Sequence, residues 1–205
     1  MPFDAAIFDF DGTLVDSAKP KRDAFFAIFP YTPGHHAIVN GVLEEDPDGS
    51  RHRVIPLMIE RIQAAGLDPD HALLVSDLVA RYGTVSEAAV KRAPELQGAS
   101  ALLAALSPYM QLHLCSNTPR ETVRAHVEAR GWTSYFATVE GHPSVKAAKV
   151  ERVIRDGGFE AQRVAVIGDG ISDQDAARAN GCRFIGIKSP ADLAGVGRIL
   201  GVSDV

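Results

Sequence analysis

Four short apolar runs, each closing on polar residues, constrain this chain more than any other feature. Ala5-Ala6-Ile7-Phe8 leads into Asp9, and Leu112-His113-Leu114-Cys115 leads into Ser116-Asn117. Val164-Ala165-Val166-Ile167 leads into Gly168-Asp169, and Phe184-Ile185-Gly186-Ile187 into Lys188-Ser189. None shows a sustained alternation of apolar and polar residues, so each reads as a strand covered on both faces, as in a parallel sheet. Phe136-Ala137-Thr138-Val139 is a further strand candidate. Helical patterns separate the later runs: 121–130 ends before Gly131, 149–155 precedes the third run, and 172–180 ends before Gly181. Strands alternating with helices of this length predict right-handed βαβ units and an α/β fold built on a doubly wound parallel sheet.

The rhythm breaks between the first and second runs. Residues 18–92 hold no strand pattern but three apolar clusters at helical spacing. Phe25, Phe26, Ile28 and Phe29 form the first, Val54, Leu57, Met58, Ile59 and Ile62 the second, and Leu73, Leu74, Leu78 and Val79 the third. The acidic, turn-rich loop 44–49 separates the first from the others. We therefore expect a core domain of residues 1–17 and 93–205, with a small all-helical domain, 18–92, inserted after the first strand. The chain re-enters the core at Ala93-Pro94-Glu95.

The carboxyl ends of parallel strands share one edge of the sheet, which is where ligands bind. Asp9, Asp11, Ser116, Asn117 and Asp169 each follow such an end, so positions more than a hundred residues apart are expected to meet there.

Composition narrows the partners. A formal charge of −5 with no basic stripe argues against nucleic acid, which needs a dense Lys/Arg footprint. The opening segment lacks a cationic start followed by a long apolar stretch, and no run of about 20 apolar residues occurs, so no membrane partner and a cytoplasmic location are expected. Cys115 and Cys182 adjoin apolar runs and read as reduced thiols, not a disulfide framework.

Asp9-Phe10-Asp11-Gly12-Thr13 sets two carboxylates two residues apart before a turn at Gly12. One carboxylate can attack phosphorus and form an acyl phosphate, splitting hydrolysis into two steps. The other can protonate the leaving oxygen and then deprotonate water. Gly168-Asp169-Gly170-Ile171-Ser172-Asp173 adds two more carboxylates, hard oxygen donors suited to Mg²⁺. A plainer reading makes Asp169 a helix N-cap with Asp173 in the first turn, and both readings can hold. Ser116-Asn117-Thr118-Pro119 offers anion donors at a helix start, or simply a helix entrance. Lys146, before the helix leading to the third run, could stabilise charge on transferring oxygens.

The order DxDGT, S-N, K, GDxxxD resembles the haloacid-dehalogenase superfamily, over nearly all the sheet domain from residue 5 to about 187. In that family a lysine usually lies a little over twenty positions before the last Asp motif. Lys146 precedes Asp169 by 23 positions and Lys149 by 20, so Lys146 is the match. Pro94-Glu95-Leu96-Gln97-Gly98 and the helical insert are similar to the phosphoglycolate-phosphatase and β-phosphoglucomutase branch with its cap domain. Ala147 departs from the proline common after the lysine in close phosphoglycolate-phosphatase relatives.

The resemblance implies a Rossmann-like core and a phosphatase acting on a small phosphorylated metabolite, as a monomer or homodimer. It implies Asp9 as the nucleophile and Asp11 as the general acid/base. Mg²⁺ would lie on the Asp9 carboxylate, the Asp11 backbone carbonyl and Asp169, with Asp173 acting in an outer shell or through water. Ser116, Asn117 and Lys146 would bind phosphoryl oxygens. Asp11 favours phosphate chemistry, since family members that cleave carbon–halogen bonds lack that carboxylate. Specificity would come from the cap closing over the pocket; separately, the cationic cluster Arg51-His52-Arg53 after the acidic turn reads as one of these residues reaching toward substrate, or simply as a solvated helix start. A phosphomutase on the same scaffold and a catalytically idle binding module are the alternatives.

Two other chemistries fail on spacing. Cys115 and Arg120 enclose four residues where a cysteine-phosphatase loop needs five, and Cys115 closes a buried strand. Gly195-Val196-Gly197 lies too near the end of the chain for a dinucleotide-binding βαβ unit to follow. The histidines lack metal-ligand spacing, and His35-His36 read as polar surface.

Overall fold

The computed structural model describes residues 2–47 and 49–202. Asp48, part of the expected 44–49 loop, lies outside the described residues. The chain divides into two compact units, Met1–Asp16 with Pro94–Val205, and Ser17–Ala93.

The first unit carries a sheet of β1 (Ala5–Phe8), β2 (Gln111–Pro119), β3 (Phe136–His142), β4 (Val164–Gly168) and β5 (Arg183–Gly186). Its order is β3-β2-β1-β4-β5 and every neighbouring pair is parallel. The order reverses around β1, so the crevice where a ligand binds opens at the carboxyl ends of β1, β2 and β4. Ala5, Ile7, Val164 and Val166 pack with Val150, Val153, Ala176 and Ala177 in one apolar cluster. The alternate residues Ala6, Phe8, Ala165 and Ile167 are equally buried, which explains the unbroken apolar runs.

In the second unit α1 (Ala18–Ala27), α2 (Pro33–Glu45), α3 (Arg51–Ala64) and α4 (Val75–Arg92) share one core. Val54, Ile55, Met58, Ile59 and Ile62 form the buried stripe of α3, and Phe25 stacks on Tyr82 at 4.1 Å. Ile28 and Phe29 lie past the end of α1 and Leu73 and Leu74 precede α4, yet Ile28 and Phe29 are buried in that core. His35 is buried, with Nδ1 2.7 Å from the Thr32 hydroxyl, and so is not the polar surface its sequence suggests, whereas His36 is exposed and stacks on Phe26.

The two connections into the inserted unit run side by side within the first. Val15 bridges Glu95 in antiparallel sense, Leu96 N–H donates to the Leu14 carbonyl at 2.8 Å, and Asp16 N–H donates to the Pro94 carbonyl at 3.0 Å.

The remaining helices are α5 (Ala99–Leu106), α6 (Arg120–Ala129), α7 (Lys146–Gly157), α8 (Ile171–Asn180) and α9 (Pro190–Leu200). Lys146 is thus the first residue of α7 and does not precede it, because Val145 is the last extended residue. β2 runs on through Ser116 to Pro119 where a helix entrance was expected, with its β3 register shifting between Cys115 and Pro119. Both cysteines are free, Cys115 buried and Cys182 half-buried.

Candidate active site

Asp9 is the first residue past β1, and its N–H donates to the Ile167 carbonyl at 2.8 Å. The side chain of Phe10 is wholly buried, stacked on His126 at 5.9 Å and edge-on to Trp132 at 6.4 Å. That anchor fixes the segment between the two carboxylates of the motif. Gly12 then turns the chain at φ +78°, in the left-handed region. A Cβ there would overlap the Asp169 carboxylate, lying 2.7 Å from its Cγ, so glycine permits the close approach of the first and fourth motifs.

The carboxylates of Asp9, Asp169 and Asp173 each place one oxygen within 4.8 Å of the others. Lys146 Nζ stands among them, 2.7 Å from Asp173 Oδ1 and 3.1 Å from Asp9 Oδ1. The second distance is an ion-pair contact, and among the described residues the buried Asp9 Oδ1 accepts no well-formed hydrogen bond. Burial opposes the charged form of Lys146, but the charges of Asp9 and Asp173 together outweigh it and hold the ammonium above the ordinary lysine value. Burial first, and then the negative charge of Asp9, push Asp169 up to about 6. The same two causes hold Asp173 well above the usual carboxylate range, with Lys146 countering them.

One ammonium cannot balance three clustered carboxylates. The raised acids, the orphaned Asp9 oxygen and the all-oxygen donor set fit a hard divalent cation such as Mg²⁺. Asp173 is engaged on both oxygens, Oδ1 by Lys146 and Oδ2 by the Gly170 N–H at 3.3 Å. Gly170, not Asp169, is the N-cap of α8, so Asp169 is left available to the cluster.

Asp11 stands apart from those three carboxylates. Its Oδ2 accepts from the Thr118 hydroxyl at 2.7 Å, while the Thr118 N–H donates to Ser116 Oγ at 3.0 Å. Ser116 is buried, whereas Asn117 is exposed and its amide donates to Ser172 Oγ at 3.4 Å. The structure therefore joins Asp9, Lys146, Asp169 and Asp173 in one group, and Asp11 and Ser116 through Thr118. Asn117 faces the start of α8.

Four contributors escape sequence reasoning. Thr118 holds Asp11, and Thr13 donates to Asp169 Oδ1 at 3.3 Å. The Lys188 ammonium donates to the Asp169 backbone carbonyl, and Lys149 donates to the Ser116 carbonyl at 2.5 Å. Thr13 carried a signal as the last residue of the DGT triplet, and Lys149 through its spacing of 20 positions before Asp169, although its contact did not. Within the inserted unit Arg53 pairs with Asp46 at 2.5 Å, and the Arg51 guanidinium lies 5.5 Å above the Tyr82 ring, so both have partners inside that unit.

Residues 3–181 match a family model described as haloacid dehalogenase-like hydrolase. A phosphoglycolate phosphatase of Synechococcus elongatus is 30% identical over 187 residues, covering 86% of this chain and 80% of that protein. One from Mesorhizobium japonicum is 28% identical over 193 residues, covering 88% and 81%. A Thermotoga maritima structure, proposed to be a β-phosphoglucomutase, superposes with a TM-score of 0.73 at 18% identity, covering 97% of this chain and all of the other. At that identity it speaks for the α/β fold alone.

Proposed function

The chain belongs to the haloacid dehalogenase-like hydrolases, and from that premise we propose that it is a Mg²⁺-dependent phosphatase of small phosphorylated metabolites. The observation that carries this reading is the group of Asp9, Asp169 and Asp173 around Lys146, with a buried Asp9 oxygen whose one contact among the described residues is the Lys146 ion pair.

In this reading Asp9 attacks the phosphorus, forming an Asp9 O–P bond as the ester P–O bond breaks. The departing oxygen takes its proton from Asp11. Asp11 then removes a proton from water, whose oxygen bonds to phosphorus as the Asp9–phosphorus bond breaks and phosphate departs. The Thr118 hydroxyl keeps Asp11 separate from the carboxylates around Lys146, a division of labour between nucleophile and acid/base. Lys146, Ser116 and Asn117 would bind the phosphoryl oxygens. Asp9, the Asp11 carbonyl and Asp169 would hold Mg²⁺, with Asp173 acting at one remove because Lys146 and Gly170 already occupy it. When bound, the ion would offset the repulsion between Asp9 and a phosphoryl dianion.

The unit Ser17–Ala93 is proposed as the cap that selects the substrate. Both relatives named above are phosphoglycolate phosphatases, so a short carboxylated phosphate ester heads the substrate candidates. The test is a panel of phosphorylated metabolites, including 2-phosphoglycolate and hexose phosphates, assayed for phosphate release with Mg²⁺. Turnover should vanish in EDTA and in Asp9→Asn. Activity surviving either control contradicts the mechanism, and turnover only in the presence of a sugar bisphosphate would make the chain a mutase.

A further inference from the structure

Helix α7 begins against an elementary electrostatic rule. Its first turn holds Lys146 and Lys149 and no acidic residue, at the helix end whose dipole disfavours cations. Both side chains are buried, Lys149 completely, on the face shared with Val150 and Val153. A fully buried ammonium is destabilising unless something is gained by it, and methionine would fill the same space without charge. Departures of this kind from local preference gather at functional sites.

Lys146 is accounted for by the carboxylates. Lys149 is not near enough to replace it: its Nζ goes instead to the backbone carbonyl of Ser116 at 2.5 Å. That carbonyl sits at an irregular point of the sheet. β1 pairs with β2 only as far as Phe8 opposite Leu114, and the β2–β3 register breaks between Cys115 and Pro119. A buried strand carbonyl lying between broken ladders needs another donor. The peptide it belongs to links Ser116 to Asn117, so whatever holds the carbonyl also sets the direction of the Asn117 N–H on its other side. Ser116 Oγ is in turn fixed by the Thr118 N–H. Asn180 secures the start of α7 itself, its amide donating to the Ala147 carbonyl at 3.0 Å and the Ala176 carbonyl at 2.9 Å.

We propose that Lys149 is a positioning residue for the phosphate cradle: through the Ser116 carbonyl it aims the Ser116–Asn117 peptide at the transferring phosphoryl group, without touching substrate. Burial, and then the neighbouring Lys146 charge, hold its ammonium below the ordinary lysine value, while Asp9 and Glu140 favour the charged form. This inference rests on the phosphatase reading, which it deepens.

The test is calorimetric titration of inorganic phosphate into the Mg²⁺-loaded protein, for wild type, Lys149→Met and Lys149→Arg. Lys149→Met should bind phosphate about tenfold more weakly, the effect of one charge-assisted contact. Its Mg²⁺ affinity should stay within about twofold of wild type, since Lys149 touches none of the carboxylates, and Lys149→Arg should regain most of the loss. A purely structural role would lower the melting temperature and leave phosphate affinity alone, and that result overturns the proposal. If Lys149→Met does not fold, Lys149→Gln takes its place. A wild-type crystal with vanadate tests the same role independently: Lys149 Nζ should remain on the Ser116 carbonyl, and finding it on the oxyanion refutes a positioning role. If wild type neither binds phosphate nor hydrolyses any ester, the phosphatase reading falls and this inference with it. Equal phosphate binding by wild type and Lys149→Met removes the role of Lys149 alone.

Discussion

Lys146→Met deletes the ammonium that stands 2.7 Å from Asp173 and 3.1 Å from Asp9 while keeping most of the side-chain volume. Removing one partner of a buried ion pair is worth about 3–5 kcal/mol, because the survivors stay charged without compensation. Here the survivors have an escape, since carboxylates can take up protons. Burial and Asp9 already hold Asp169 at about 6 and Asp173 above the usual range even with Lys146 in place. Without the ammonium, both rise further. Acids that bind protons more tightly folded than unfolded make stability fall as pH rises from about 4 through their folded pKa values. At pH 5 the variant's acids are largely neutral, and its loss should shrink to about 1 kcal/mol, the net worth of a hydrogen bond. At pH 8 they must ionise, and the loss should reach the full range of about 3–5 kcal/mol. Guanidinium unfolding in EDTA measures this through the fluorescence of Trp132, the sole tryptophan, buried in the same unit as the site. An equal loss at both pH values, or less than about 1 kcal/mol at pH 8, would refute the electrostatic account of the cluster.

Three further perturbations probe separate parts. Gly12→Ala combines left-handed strain of about 1–2 kcal/mol with displacement of the Asp169 carboxylate. Its Mg²⁺ requirement for activity should rise more than about tenfold, and an unchanged Mg²⁺ titration counts against Asp169 as a ligand. Thr118→Val keeps the side-chain shape but releases Asp11, so kcat should drop about tenfold with Mg²⁺ affinity intact. Wild-type kcat in that variant would leave the Thr118 contact without a catalytic part. His113 is a buried imidazole that burial lowers to about 4; its Nδ1 lies 2.8 Å from the Thr138 hydroxyl and its Nε2 has no hydrogen-bond partner among the described residues. The unfolded chain binds that proton first, so stability should drop by up to about 3 kcal/mol as pH falls from 6.5 to 4, and His113→Asn should flatten that slope in acid-denaturation midpoints.

The sheet was readable because its strands are buried on both faces, which turns a parallel ladder into a run such as Val164–Ile167 with no alternation to misread. The meeting of Asp9 and Asp169 was readable for a related reason: each directly follows a strand end, and β1 and β4 are adjacent. Helices with mixed signals were not. α9 carries Gly195 and Gly197 in its interior and α2 carries Gly34, Gly41 and a buried His35, all of which blur an apolar period. Lys146 opens α7, three residues before the helical pattern at 149–155 begins, although two lysines in a first turn oppose the dipole; the nearby carboxylates override that preference. The contacts of Thr118, Lys149 and Lys188 could not be read, although Lys149 was weighed against Lys146 on spacing. Each acts on a neighbour far away in sequence, two of them on a backbone carbonyl, and a contact with a carbonyl leaves no trace in the identity of the residue that owns it.

The central claim is that Asp9 becomes phosphorylated. The most direct measurement is to quench a turnover mixture in borohydride, which reduces an acyl phosphate to an alcohol, and to map the modified residue by mass spectrometry. Position 9 should be converted from aspartate to homoserine only when substrate and Mg²⁺ are both present. Steady phosphate release with Asp9 recovered unmodified, or with the label at Asp11 or Asp169, would contradict the claim.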